Sequence, residues 1–478
     1  MKKQIALVKA GTATLVFTCL LNLSCSAHAD APTAPAAVPN THAGKLLAAW
    51  LDAFNSGDKK KLLAYKKTHE PGLNPQQEMN FFKLTGGFDL IQVKKSEPNM
   101  IEVLIRERNS DNVLQADLKV KANKLRLLDD LVLQGAEAPV ELMPQRQELD
   151  SLLQELKRKA DAYAEYGEFS GQFLVARNGS VLFSQNWGNA NRETKLPITN
   201  ETRFRIASMG KMFTAVAVLQ LVDAGKVSLD KAVGDYLPDY PNRDIATKVT
   251  IRELLNHTGG TGDIFGKEFD QQRKSLREHS DYIGLYGKRG PEFEPGSRDG
   301  YSNYGFVLLG AIIEKVSGKS YYDYVQEKIF TPADMTSTGA LPEAEVAAQL
   351  SEGYMADKAS MISNRDTLPY RGTAAGGAYS TASDLLKFAI ALRSGRLISP
   401  KLLEQASRPE NHARWYGYGF MVGGEGNLRW FGHEGGAPGM NGKLIIYPEL
   451  GYVVICLANT SPPDAGRLAT FFANRMPL

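Results

Sequence analysis

The chain has 478 residues, 43% of them hydrophobic and 23% charged, with a net charge of +3. This is the composition of a folded chain long enough for two or three domains. So small a net charge gives no footing for a nucleic acid or an anionic membrane surface as a partner.

Residues 1–29 read as a signal peptide. Lys2 and Lys3 give a basic start, an apolar run extends from Ala10 to Leu23, and Ala27-His28-Ala29 supplies the cleavage pattern. The run falls short of the ~20 apolar residues of a membrane span. No later segment is long and apolar enough to be one. The expected location is therefore periplasmic or secreted. Lipidation through Cys25 is the second reading, set back by Asn22-Leu23-Ser24, which lacks the usual apolar residue three places before a lipidated cysteine. Cys19 and Cys25 both fall in this segment, so Cys456 is left alone and no intrachain disulfide can form. Cys456 stands in an apolar strand-like run and reads as a buried, inert thiol.

Residues 30–40 are rich in Ala and Pro and form a spacer. A first unit follows over residues 41–135. Leu46, Leu47, Trp50, Leu51 and Phe54 fall at helical spacing, ended by Gly57, and Leu62, Leu63 and Tyr65 mark a second helix. Strand-like runs come next at Phe88 to Val93, Ile101 to Ile105, Leu114 to Val120 and Leu125 to Leu133. The third alternates cleanly, so one of its faces is expected to be wet. This order, with the phrase from Trp50 to Asp58, resembles the nuclear-transport-factor-like cone fold. The resemblance implies an accessory α+β domain that packs or holds a ligand. The residues themselves show no chemical constellation.

Residues 136–147, with Pro139 and Pro144, read as a linker, and a second domain spans 148–478. It opens on a helix near Leu149 to Tyr166. Strands follow at Gly171 to Ala176 and Val181 to Trp187, joined by Asn178-Gly179, a strong hairpin signal. A second strand pair, Gly442 to Tyr447 and Gly451 to Ala458, precedes a closing helix near Ala465 to Arg475. Strands at both ends with helices between them predict an α+β fold. Its one antiparallel sheet would be built from both ends of the domain, flanked by helices, with an all-helical insert.

Three motifs carry chemistry. Ser208-Met209-Gly210-Lys211 opens an apolar helix, which sets serine and lysine on one face at its first turn. A serine hydroxyl needs help losing its proton, and a neighbouring cation and the positive end of a helix both favour the alkoxide. Tyr301-Ser302-Asn303 follows a turn and precedes a second apolar helix. The Tyr301 phenol could act as a base if cationic neighbours such as Lys211 lower its pKa. Asn303 offers both donor and acceptor for Lys211 and a substrate carbonyl. His433-Glu434-Gly435-Gly436 is placed at the end of a short strand. His433 could donate to a substrate carboxylate or to the phenolate, and the Gly436 amide could join that of Ser208 in an oxyanion hole.

S-x-x-K, then Y-x-N, then H-x-G resembles the class C-like branch of the serine β-lactamase and penicillin-binding superfamily. Leu254 to Gly260, Ala375 to Leu385 and Gly432 to Gly439 look like phrases of the same family. The resemblance covers roughly residues 150–478. It implies that Ser208 is acylated, that Lys211 and Tyr301 activate it with Tyr301 shuttling the proton, and that Asn303, His433 and Gly436 bind substrate. His257 belongs to a family phrase but matches no catalytic role and reads as structural. Class C lactamases carry lysine at the place of His433, and histidine there is more typical of the peptidases and esterases. Glu434 beside the site would disfavour an anionic substrate unless it turns away or pairs.

The expected activity is hydrolysis of an ester or a D-amino-acid peptide or amide through an acyl-enzyme. A non-hydrolysing penicillin sensor and a true β-lactamase are the alternatives. No cofactor is called for, and no histidine or cysteine cluster has metal-ligand spacing. The nearest approach to an α/β-hydrolase elbow, Gly300 to Tyr304, lacks the final glycine. A small molecule or peptide is the expected partner, and the sequence is silent on oligomeric state.

Overall fold

A computed structural model describes residues 37–478 apart from 70–74, 122–123, 137, 140–141, 166, 168, 346–349 and 358–359. The expected signal peptide and most of the spacer lie outside the described residues. The chain divides into two compact units at Arg146 and Gln147.

In the first unit, helices α1 (His42–Asn55), α2 (Lys59–His69) and α3 (Pro75–Thr85) precede strands β1 (Phe88–Glu97), β2 (Met100–Glu107), β3 (Val113–Val120) and β4 (Leu128–Ala136). The strands form an antiparallel meander in chain order. Its core is a stack of Trp50, Phe54 and Phe88, with ring centroids 5.4 to 5.8 Å apart, an offset geometry that aromatic quadrupoles favour. In β3 the side chains of Leu114, Ala116, Leu118 and Val120 are buried, and those between are half-exposed. The alternation in the sequence is therefore the alternation of the strand. Helix α3 was not expected. Its proline can occupy a first helical turn, where no N–H is needed, but as a sequence signal it reads equally as a turn.

The second unit begins with helix α4 (Leu149–Glu165) and the hairpin of β5 (Gly171–Arg177) and β6 (Ser180–Trp187). Asn178 (φ 51°) and Gly179 (φ 84°) make that turn, both in the left-handed region that Asn-Gly supplies at least cost. The insert carries α5 (Lys211–Asp223), α6 (Asn303–Ser317) and α7 (Ala382–Arg393) with several shorter helices. It is not purely helical. Phe204–Arg205 pairs with Tyr379–Ser380, and Tyr354–Asp357 pairs with Ser360–Ser363. Strands β7 (Met421–Gly423), β8 (Trp430–Ala437), β9 (Met440–Ile446) and β10 (Tyr452–Ala458) and helix α8 (Asp464–Arg475) complete it.

The main sheet runs β7-β8-β9-β10-β5-β6, all antiparallel, so strands from both ends of the domain meet at the β10–β5 junction. One face packs on the insert through Leu174, Phe431, Leu444, Val453 and Ile455. The other packs on α4 and α8 through Phe173, Val175, Ile445, Val454 and Cys456. The Cys456 thiol is free and buried, and burial holds it well above the usual thiol range. Strand β7 pairs only with Trp430 to Gly432. From His433 onward β8 is therefore open on that side, and the segment bearing Ser208 packs along it.

Candidate active site

Ser208 sits in a 3-10 turn, Ala207–Gly210, that runs into α5 with Lys211 as the first α-helical residue. The helix expected at Ser208 thus begins as a tighter turn. Ala207 holds a φ of 44°, a strained value for a residue with a side chain. The backbone around it leaves no alternative. Gly377 N–H donates to the Ala207 carbonyl at 3.1 Å. A Cβ on Gly376 would lie 2.6 Å from that same oxygen, and one on Gly435 would lie 2.2 Å from the Ile206 carbonyl oxygen. Two glycine-bearing segments therefore clamp the turn at backbone contact. Helix α5 is apolar on every side and fully enclosed from Lys211 to Leu219. Ser208 itself remains half-buried and can be reached.

Lys211 is fully enclosed. Its Nζ stands 2.6 Å from Asn303 Oδ1, 2.6 Å from the Ala375 carbonyl and 3.2 Å from Ser208 Oγ. It also lies over the Tyr301 ring, 4.8 Å from the centroid. Burial pulls its pKa from 10.5 down to about 7, against an upward pull from Asp263. Ser302 caps α6, its Oγ accepting from Gly305 N–H at 2.8 Å, which fixes Tyr301 and Asn303 on either side of the cap. Asn303 Nδ2 donates to Asp263 at 3.0 and 3.2 Å. The structure thus brings Ser208, Lys211, Tyr301 and Asn303 together from two helix starts.

The phenol differs from expectation. Burial raises the Tyr301 pKa above its ordinary value of 10, and Asp263 and Glu434 raise it further, while its contact with Ser208 pulls the other way. The cation that was expected to lower it lies over the ring face. Tyr301 is therefore a neutral phenol, a donor rather than a base.

His433 differs too. It lies within β8 rather than at a strand end. Its Nε2 stands 2.8 Å from the Tyr416 hydroxyl and its Nδ1 2.5 Å from the Glu434 carbonyl. Burial first, then Lys211, push its pKa down to about 3. A neutral ring has one donor and one acceptor. Nδ1–H donates to the carbonyl and Nε2 accepts from Tyr416, so the imidazole has no proton left for a substrate carboxylate. Glu434, next along the strand, stands opposite Lys443 in the register, 3.5 Å from its ammonium. Lys443 also donates to Thr470 of α8 at 3.3 Å. The carboxylate both turns to the opposite face of the sheet and pairs. Gly436 is exposed on the open part of β8.

Sequence reasoning passed over Asp263, Tyr416 and the Ala375 carbonyl. His257, read as structural, packs its ring 4.2 Å from that of Tyr301, and its Nδ1 accepts from Ser302 N–H at 3.1 Å. Among the described residues, no group of three or more His, Cys, Asp or Glu could hold a metal ion.

Residues 149–474 match the model of the Beta-lactamase family. Penicillin-binding protein 4* of Bacillus subtilis (strain 168) is 30% identical over 323 residues, covering 63% of this chain and 70% of that protein. The solved penicillin binding protein from Bacillus halodurans aligns with a TM-score of 0.60 at 31% identity, over 68% of this chain and 98% of that one. The D-amino acid amidase from Ochrobactrum anthropi SV3, complexed with D-phenylalanine, aligns with a TM-score of 0.56 at 26% identity, over 65% and 92%. The family match over the second unit agrees with these likenesses, and the chain belongs to the Beta-lactamase family, within the β-lactamase and penicillin-binding serine hydrolase superfamily.

Proposed function

We propose that the second unit is a serine hydrolase of the class C-like branch, working through an acyl-enzyme on an uncharged ester or a D-amino-acid amide or peptide. The observation that carries this is the surroundings of Lys211. A neutral amine has two N–H groups and one lone pair. Two carbonyl oxygens at 2.6 Å engage both N–H groups, which leaves the lone pair for Ser208 Oγ at 3.2 Å. With a pKa of about 7 the amine is substantially neutral at working pH. Lys211 takes the serine proton, and Oγ bonds to the carbonyl carbon. The amides of Ser208 and Gly436 hold the oxyanion. Tyr301, a phenol in contact with Ser208, gives its proton to the leaving oxygen or nitrogen, while Lys211 keeps the serine proton until deacylation. Water then releases the acyl group by the reverse traffic.

The substrate class follows from charge. The histidine at the third motif is neutral with both nitrogens engaged, and Asp263 adds negative charge beside Asn303. Nothing among these groups rewards a substrate carboxylate, which disfavours a β-lactam or a peptide with a free C-terminus. The similarity to a D-amino acid amidase supports the same choice. We further propose that the chain is exported and that the first unit is a nuclear-transport-factor-like accessory domain, as its helices-then-meander order supports.

The test is a panel of p-nitrophenyl esters, D-amino-acid amides and β-lactams, with fluorophosphonate and fluorescent penicillin as labels. Wild-type protein is expected to take up fluorophosphonate and to turn over the uncharged esters or amides faster than any β-lactam. Ser208→Ala is expected to do neither, with a loss of roughly 1,000-fold or more. Labelling by penicillin without turnover of anything would favour a sensor.

A further inference from the structure

We propose that Asp263 is a positioning residue, which orients the Asn303 amide and thereby aims the Lys211 lone pair at Ser208. The inference rests on the acyl-enzyme reading above. An amide can be turned either way round, presenting oxygen or NH2 to the same neighbour. Only one orientation serves Lys211. If Asn303 presented its NH2 to Nζ, the amine lone pair would accept that bond and an N–H would face the serine. A carboxylate removes the ambiguity because an ionised Asp has acceptors only. Both Asp263 oxygens receive Asn303 Nδ2, at 3.0 and 3.2 Å, so Oδ1 must face Lys211.

Asp263 is itself held. Oδ1 accepts from the N–H of Ile264 at 2.6 Å and of Phe265 at 3.4 Å. Arg289 Nη2 donates to its carbonyl at 2.9 Å. The carboxylate also acts on Lys211 through space. The titratable groups gathered on the amine are Tyr301 from the start of α6, His257 from the segment before Asp263, His433 from β8, and Asp263. Both histidines are held below their ordinary range and the phenol above its own. Glu434 is paired with Lys443 on the far face of the sheet. Asp263 is therefore the carboxylate that opposes burial at Lys211.

The experiment measures kcat and KM for a neutral p-nitrophenyl ester across pH, in wild type, Asp263→Asn and Asp263→Glu, with thermal melting as the check on folding. In Asp263→Asn the high-pH plateau of kcat is expected to fall roughly 10- to 100-fold with KM little changed. Its acid limb is expected to move to lower pH by about half a unit or more, since a charge that raised the lysine pKa has gone. Asp263→Glu keeps the charge and the acceptor-only head, and its acid limb is expected to stay in place. A folded Asp263→Asn protein with wild-type plateau and limb overturns the proposal. Should that variant fail to fold, an acid limb that moves in Asp263→Glu overturns it instead. Ser208→Ala in the same assay keeps the two readings apart. Turnover surviving there sinks the acyl-enzyme, whereas its loss beside an unchanged Asp263→Asn sinks only the role of Asp263.

Discussion

Lys211→Met is expected to abolish fluorophosphonate labelling and ester turnover while leaving Ser208 in place. Methionine has nearly the length of lysine and suits an enclosed site, so the fold should survive. The activity loss should reach roughly 1,000-fold or more, because base, proton store and serine act as one unit. Two acceptors, Asn303 Oδ1 and the Ala375 carbonyl, lose their donor. Leaving buried acceptors unmet costs about 1–3 kcal/mol. The decisive readout is how stability depends on pH. Lys211 has its pKa lowered from 10.5 to about 7 on folding. Between those values the unfolded chain binds the proton and the native state does not, so stability rises with pH across that window. Below it both states are protonated and the native state bears the full cost of a buried ammonium. Urea unfolding of wild type and Lys211→Met from pH 6 to pH 10 is expected to show wild type gaining on the variant above pH 7, by an amount on the order of a few kcal/mol. Parallel pH profiles would mean that the amine is not desolvated in the native state.

The sequence shows chemistry that is local and hides chemistry that is not. Ser208 and Lys211 were legible because three residues of spacing on a helix start is itself a geometric statement. The sheet built from both ends was legible because strand runs and the Asn178-Gly179 turn are local signals too. Ala375 offers Lys211 only a backbone carbonyl, and a carbonyl has no sequence signature. Asp263 is one aspartate in a loop 40 residues before its partner Asn303, and nothing in its neighbours marks it. The state of Tyr301 was misjudged for a different reason. Proximity of a cation was foreseen, but burial outweighs it, and the amine meets the ring face rather than the oxygen. His433 was placed at a strand end because the short strand-like run stops before it and glycines follow, whereas the strand runs on to Ala437. Gly435 and Gly436 are strand residues: a Cβ on the first would meet the Ile206 carbonyl, and one on the second the Pro462 ring.

That close passage makes Gly435→Ala a damaging single-methyl change at a residue with no side-chain chemistry of its own. The added Cβ would lie 2.2 Å from the Ile206 carbonyl oxygen and 3.3 Å from the Ala207 Cβ. The first contact is with backbone, which no rotamer change relieves, so either β8 or the turn must move. Strand β8 is tied to β9 along seven residue pairs from Phe431↔Ile446 to Ala437↔Met440. The turn is the softer partner, already strained at Ala207. Displacement by about 1 Å carries Ser208 Oγ away from Lys211 and Tyr301, and a misplacement of that size costs roughly 100-fold in rate. Stability is expected to fall by about 1–3 kcal/mol, as for an overpacked core. Gly466→Ala is the matched control. Gly466 lies within α8 and has nothing near its Cβ position, so alanine there should stabilise by roughly 0.5–1 kcal/mol and leave kcat/KM unchanged. If Gly435→Ala keeps wild-type kcat/KM and melting temperature, the turn that carries Ser208 is not clamped by β8, and the strained φ at Ala207 must be maintained from the Gly376 side alone.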